Sequence, residues 1–132
     1  MKITPDTNVL VRAAVDDDSE QAREARKCLL DAETIVLTLP ALCEFVWVLR
    51  TVYRADKTTI AQALKALVEA ENAVVDDRAV ALGLHILQAN GDFADGVIAA
   101  IGIDRGADMF ISFDRQAVKL LSEAGQPATL LA

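Results

Sequence analysis

The stretch ITPDTNVLV, residues 3–11, places a carboxylate where a short apolar run gives way to a helical pattern. Its proline cannot donate a hydrogen bond to a central strand ladder, so we expect the strand to end there. Thr7 and Asn8 offer cap-type side chains to a helix that begins near Val9. Asp6 is therefore predicted at the carboxyl end of the first strand, the edge where open α/β sheets bind ligands. Capping of the helix is the alternative role for this carboxylate.

Length and composition indicate one domain. The chain has 132 residues, of which 53% are hydrophobic, so it can bury a core without disulfides or metal staples. Six Gly and three Pro are too few for a flexible linker, and no repeat is visible. We expect a single domain over residues 1–132. The net charge of −7 argues against a general polyanion-binding surface, so a nucleic-acid substrate would need bound cations or a few local Arg and Lys side chains.

The chain shows no targeting signal. Its N-terminus lacks the apolar core of a signal peptide, and the apolar stretch 34–49 is interrupted by Pro40 and Glu44. We expect a soluble, cytoplasmic protein with no membrane partner. Cys28 and Cys43 do not form a metal-type pair, and both are expected to be reduced thiols in the core.

Four further runs rich in β-branched or aromatic residues predict strands, and the first three of them are followed by helical patterns. These runs cover residues 34–39, 72–76, 109–113 and 128–131. Strands that alternate with helices imply right-handed crossovers and a parallel sheet. The pattern therefore predicts an α/β fold with helices on both faces of the sheet.

Two acids mark other junctions between strand and helix. Glu44 has apolar neighbours, so we expect it either to pair with a cation such as Arg50 or Arg54 or to lie at the rim of a cleft. Asp114 follows the fourth strand where a helix starts, which repeats the position of Asp6. If these two strands are neighbours where the strand order reverses, their aspartates face one crevice.

A second unusual stretch opens the most apolar helix. Gly91 suits a left-handed helix stop, and Asp92 is predicted to cap the next helix. Asp95 then lies in the first helical turn, followed by apolar residues or glycine for two turns. By contrast, the consecutive acids at 16–18 point in different directions, and we interpret them as a solvated loop and cap.

Carboxylates that lie close together need a compensating positive charge to stay ionised, because like charges raise one another's pKa. Oxygen-only ligands without His or Cys suit Mg²⁺ or Mn²⁺ rather than Zn²⁺. Such a site can orient and activate water and neutralise charge on a phosphodiester, which points to a nuclease or phosphatase rather than to acyl or glycosyl transfer. Ser112, on the same side of the strand as Asp114, could hydrogen-bond a metal-bound water or a phosphate.

Taken in chain order, four short motifs resemble a PIN domain, specifically a VapC-type toxin ribonuclease; they are DTN at 6–8, LCEFVWVL at 42–49, DFAD at 92–95 and SFDR at 112–115. The resemblance implies an Mg²⁺-dependent endoribonuclease, with Mn²⁺ as a substitute. It implies that the metal-binding catalytic acids are Asp6, Glu44, Asp95 and Asp114.

The same resemblance implies a three-layer α/β/α fold with a central five-stranded parallel sheet. It also implies an RNA substrate, a homodimer, and a cognate antitoxin whose tail fills the acidic groove. Asn8 and Ser112 match positions that support the site in this family. Asp92 matches an acid found in part of the family, which makes it a metal ligand or only a cap. Arg12 and Arg115 are candidates for contacts to RNA or antitoxin.

Two other functions stay open on the sequence. A haloacid-dehalogenase-like phosphatase also places an Asp after its first strand, but it needs a second Asp where this chain has Asn8. A receiver-type signalling domain could use Asp76 and Asp77, but it needs a Lys at the end of the last strand, where this chain reads LLA at 130–132.

Overall fold

The computed structural model describes residues 1–15 and 17–132. Asp16, part of the predicted solvated loop, lies outside the described residues. Backbone proximity divides the chain into two compact units, Met1–Val75 and Asp76–Ala132. Each unit combines short parallel strands with longer helices.

The first unit carries a parallel sheet in the strand order β1-β2-β3. Its elements are β1 (Lys2–Ile3), α1 (Thr7–Ala14), α2 (Glu20–Asp31), β2 (Thr34–Val36), α3 (Leu39–Thr51), α4 (Lys57–Val68) and β3 (Ala73–Val74). Because β1 and β2 run in parallel, their carboxyl ends lie at one edge of the sheet. Helices α1 and α3 both begin just beyond that edge.

Local capping chemistry sets where these helices begin. Helix α1 begins at Thr7, two residues before the predicted start, because Asp6 is its cap. Strand β2 ends at Val36 rather than at the predicted residue 39, because the Thr38 side chain accepts a hydrogen bond from the Ala41 N–H and starts α3. The largest fully buried side chains of this unit are Leu10, Leu42, Phe45, Ile60 and Leu64.

The second unit pairs two parallel strands and packs three helices with them. Its elements are α5 (Asp77–Gln88), α6 (Phe93–Asp104), β4 (Phe110–Ser112), α7 (Arg115–Glu123) and β5 (Ala128–Leu130), with β4 pairing to β5. Ile86, Ala99 and Leu121 form its buried centre, and Phe110 packs against them. Strand β4 therefore sits over the same core as the helices.

Helices α5 and α6 touch backbone to backbone. A Cβ placed on Gly96 would lie 2.7 Å from the Cα of Gly83 and 2.8 Å from the carbonyl oxygen of Leu82. A Cβ on Gly83 would lie 2.7 Å from the ring of Phe93. Only glycine permits this approach, which fixes the first turn of α6 against α5.

Two residues have different structural roles in the turn between these helices. Asn90, rather than the predicted Gly91, adopts the left-handed conformation, with φ of 74°. Asn tolerates that conformation better than other side chains. Gly91 is needed for space instead, since a Cβ there would lie 2.6 Å from side-chain atoms of Ile86 and Leu120.

The predicted α/β class with parallel strands is confirmed. The described strands form a three-stranded and a two-stranded set, so the five-stranded sheet, the three layers and the single domain stay predictions. Neither Cys28 nor Cys43 forms a disulfide in the described part of the chain. Cys28 is exposed, so the predicted core position was wrong for it, because α2 buries Ala22 and Ala25 instead. None of the described helices has both the length and the apolar character needed to cross a bilayer.

Candidate active site

Asp6 leads from β1 into α1 and caps the helix. Its Oδ1 accepts a hydrogen bond from the Val9 N–H at 3.1 Å, and its backbone is extended. The capping role considered for this residue is therefore confirmed. It does not exclude ligand binding, because a carboxylate has a second oxygen and Asp6 is exposed.

Glu44 is held in place by α1. The Thr7 hydroxyl donates to Glu44 Oε2 at 3.0 Å, although the two residues are 37 positions apart. Among the described residues Glu44 forms no ion pair with Arg50 or Arg54. Because Thr7 directly follows Asp6, this bond brings the predicted acids of α1 and α3 to one place within the first unit.

The sequence motifs did not indicate that Thr7 would hold one of the candidate site acids. The predicted supporting residue, Asn8, forms no recorded side-chain hydrogen bond among the described residues, and it is exposed. It lines a groove of about 570 Å³ between α1 and α2 together with Asp6 and Arg12. The only sequence signal for Thr7 was a hydroxyl next to the first acid, and nothing local pointed to Glu44 as its acceptor.

Asp92 caps α6, as predicted. Its Oδ1 accepts from the Ala94 N–H at 3.0 Å, and its carbonyl accepts from the Asp95 N–H at 3.1 Å. Asp95 lies in the first turn of the helix and is half-buried. No capping bond accounts for its side chain within the described residues.

The environment of Asp95 opposes its charge. Burial raises the pKa of this carboxyl above its ordinary value of 3.8, and the nearby charges of Asp92 and Asp114 raise it further. The three acids are therefore close enough to interact within the second unit. Described residues place no cation in an ion pair with any of them.

Asp114 repeats the arrangement of Asp6. Its Oδ1 accepts from the Ala117 N–H at 3.1 Å and caps α7. The Ser112 hydroxyl accepts from the Asp114 N–H at 2.9 Å, so Ser112 orients the backbone of the acid. Gln116, which sequence patterns did not single out, donates from Nε2 to the carbonyl of Asn90 at 2.9 Å and ties the start of α7 to the turn before Asp92.

The donor chemistry of these acids fits a hard divalent cation, since every candidate ligand is a carboxylate. Their geometry is not that of a complete metal cage: within residues 1–15 and 17–132, no group of three or more His, Cys, Asp or Glu side chains is arranged to hold a metal ion. Asp6 and Glu44 lie in the first unit. Asp95 and Asp114 lie in the second unit, with Asp92 beside them.

Comparison with known proteins identifies the family. The PIN domain model matches residues 3–121, which is most of the 132-residue chain. A search of curated proteins finds no match. PIN domains are nucleases that act on RNA and generally depend on divalent metal ions, so the match supports neither the phosphatase nor the receiver-type domain. The ordered motifs, the parallel strands and the family match together show that the chain belongs to the PIN domain family.

Proposed function

We propose that this PIN domain is an Mg²⁺-dependent endoribonuclease, with Mn²⁺ as a substitute, whose metal-binding catalytic acids are Asp6, Glu44, Asp95 and Asp114. The observation that carries the proposal is Asp95, which is half-buried next to two other carboxylates and pairs with no cation in the described part of the chain. A bound divalent cation compensates such a gathering of charge.

The side chains around these acids have distinct tasks. Asp6 and Asp114 each use one oxygen as a helix cap, which fixes the carboxylate and leaves the second oxygen for a ligand. The hydroxyl of Thr7 orients Glu44, and that of Ser112 orients Asp114. When bound, the cation supplies an activated water and neutralises charge on the phosphodiester. Asp92 caps α6, and in this proposal it is also an additional ligand.

The proposal extends to the biological role suggested by the VapC-like motifs. The chain is a toxin that cleaves RNA in the cytoplasm as a homodimer, and a cognate antitoxin restrains it. An apolar groove of about 720 Å³ among α1, α2, β2 and α4 supports a protein partner, since it is lined by Leu29, Leu30, Ile35 and Leu67. Arg12 and Arg115 are exposed and serve as contacts for RNA or antitoxin.

A cleavage assay tests the enzymatic proposal. Purified protein is incubated with a labelled single-stranded RNA in Mg²⁺, in Mn²⁺ and in EDTA. We expect cutting in both metals and none in EDTA, and a loss of at least 100-fold in rate for Asp6→Asn and Asp95→Asn. Asn preserves the cap at position 6, so folding is retained. Undiminished cleavage in EDTA would falsify the proposal.

Asp108→Asn is the matched control, because Asp108 is exposed and forms no ion pair among the described residues. It removes the same charge from the second unit as Asp95→Asn does. We expect its cleavage rate to match that of the unaltered chain. Equal losses in Asp108→Asn and Asp95→Asn would mean that net charge, rather than the acidic site, governs the rate.

A further inference from the structure

The solvent-facing side of α3 is aromatic and cationic next to Glu44. Helix α3 buries Leu42, Phe45, Val46 and Leu49 and turns its opposite face to solvent. On that face Trp47 is 62% exposed, and Arg50 and Arg54 lie beyond it in the sequence. Trp47 follows Glu44 by three positions, which makes the two side chains neighbours on the helix surface.

Exposure of this tryptophan needs an explanation. A large aromatic side chain left in water forgoes the burial that stabilises it in a core. The adjoining Val52 and Tyr53 are also exposed, at 63% and 43%. Three exposed aromatic or apolar side chains therefore lie close together in sequence, in α3 and just after its end, and exposed apolar groups of this kind are common at binding sites.

The charges of this surface indicate its occupant. Arg50 and Arg54 form no ion pair or side-chain hydrogen bond within the described residues, in a chain with a net charge of −7. Two guanidinium groups without ion pairs, with Arg50 at neighbour spacing to the exposed indole on the same helix, match the phosphates and bases of a single-stranded nucleic acid.

The backbone conformation at Arg54 also favours a binding role for its side chain. Arg54 has a φ of 54°, in the left-handed region that favours glycine or asparagine. The helix end is closed by the Ala55 N–H, which donates to the Leu49 carbonyl at 2.9 Å. A glycine would make this turn with less strain, so an arginine here costs backbone energy, and no ion pair or side-chain hydrogen bond among the described residues offsets that cost.

We propose that Trp47, Arg50 and Arg54 bind a single-stranded segment of the RNA substrate. One base stacks on the indole of Trp47, and the two arginines contact the phosphates on either side of the stacked nucleotide. This inference rests on the proposed ribonuclease function, and it adds a contact surface for the substrate: a strand whose phosphodiester lies at Glu44 continues over Trp47. Paired RNA keeps its bases stacked inside the helix and cannot use this surface.

Intrinsic fluorescence tests the inference, because Trp47 is the only tryptophan in the chain. The full chain is titrated in EDTA, where no cleavage is expected, with a single-stranded RNA and with the same RNA annealed to its complement. We expect saturable quenching by the single strand and at least tenfold weaker quenching by the duplex. No quenching, or equal quenching by both forms, would overturn the proposal.

Variants assign the contacts by a second method, RNA anisotropy. We expect Trp47→Ala to raise Kd about tenfold or more, which is the size of one base–aromatic stack, and Trp47→Phe to recover most of the affinity. Met109→Ala removes an exposed apolar side chain of the second unit and should leave Kd unchanged. An unchanged Kd for Trp47→Ala would overturn the proposal.

Substitution of Arg54 distinguishes RNA binding by its side chain from a merely structural role. Arg54→Gly relieves the left-handed strain, so the melting temperature should not fall, yet Kd should rise and the salt dependence of binding should weaken by about one phosphate contact. Arg105→Ala, which removes an exposed arginine of the second unit, is the control. A Kd unaffected by Arg54→Gly contradicts the assignment.

A second copy of the chain is the competing occupant. In that case Trp47 fluorescence would change with protein concentration alone, sedimentation would show that Trp47→Ala abolishes a dimer, and RNA would have no effect on fluorescence; this set of results overturns the proposal. Failure of the ribonuclease is distinguishable, since quenching in EDTA needs no catalysis. Cleavage without quenching would refute only the proposed RNA-binding surface. Quenching without cleavage would refute only the proposed ribonuclease activity.

Discussion

At the scale of single residues, three of the proposed site acids also have a structural role. Asp6, Asp92 and Asp114 each accept a backbone hydrogen bond and begin a helix. Asp95 does not, and its environment penalises its charge. A side chain kept in a place that costs stability indicates function more strongly than one with a clear structural reason.

The ionisation of Asp95 has a predictable effect on stability. Because its pKa is raised in the folded chain, its favourable contribution is complete below the unfolded value near 3.8 and is lost as the pH rises through the folded value. We therefore expect Asp95→Asn to raise the melting temperature of the metal-free protein at pH 7 and to have little effect below pH 4. Added Mg²⁺ should stabilise the unaltered chain but not this variant. A lower melting temperature for Asp95→Asn at pH 7, measured by calorimetry, would refute this account.

The bond between Thr7 and Glu44 gives a second prediction. Thr7→Val removes the donor while keeping the shape of the side chain, and loss of an exposed hydrogen bond should cost only about 0.5 kcal/mol of stability. Misorientation of Glu44 should lower kcat for RNA cleavage about 10- to 100-fold. Thr7→Ser retains the hydroxyl and should cleave nearly normally. An undiminished kcat in Thr7→Val would show that the bond is not needed to position Glu44.

At the scale of elements, the contact of α5 with α6 determines where Asp95 is placed. Gly96 lies next to Asp95 and against the backbone of Gly83, so the approach of the two helices sets the position of the acid. The neighbouring atoms are backbone, which cannot move aside as a flexible side chain can. The acid is thus positioned by a close helix contact rather than by a hydrogen bond.

We expect Gly96→Ala to destabilise the chain by about 1–3 kcal/mol, because the added methyl group forces α5 and α6 apart. Gly102→Ala in the same helix is the control: no atom lies within 4 Å of a Cβ at that position, so the substitution should stabilise by up to about 1 kcal/mol through helix propensity. Urea denaturation of both variants checks the pair. Equal effects of the two substitutions would mean that the helix contact is looser than the structure indicates.

The element scale also shows how far sequence reasoning reaches. Strand-to-helix junctions were predictable from local signals, since an apolar run followed by an Asp cap marks the place for Asp6 and Asp114 alike. The bond between Thr7 and Glu44 was not predictable, because it joins residues 37 positions apart through tertiary packing. The exchange of roles between Asn90 and Gly91 depends on the side chains of Ile86 and Leu120, which no local pattern reveals.

At the scale of the whole molecule, net charge shapes the proposed function. A chain at −7 repels RNA at long range, so binding must rely on local arginines or on bound cations. The acids would repel a phosphodiester placed among them unless a metal ion neutralised them. Electrostatics therefore favours metal-dependent cleavage over cleavage without a metal.

The central claim of the proposed function is that Asp6 and Asp95 are each required for binding of a divalent cation. The most direct measurement is titration of the purified protein with Mn²⁺, with free Mn²⁺ followed by its electron paramagnetic resonance signal. We expect saturable binding by the unaltered chain and by Asp108→Asn, and at least tenfold weaker binding by both Asp6→Asn and Asp95→Asn. Mn²⁺ binding that is unchanged in either of those two variants would contradict the account.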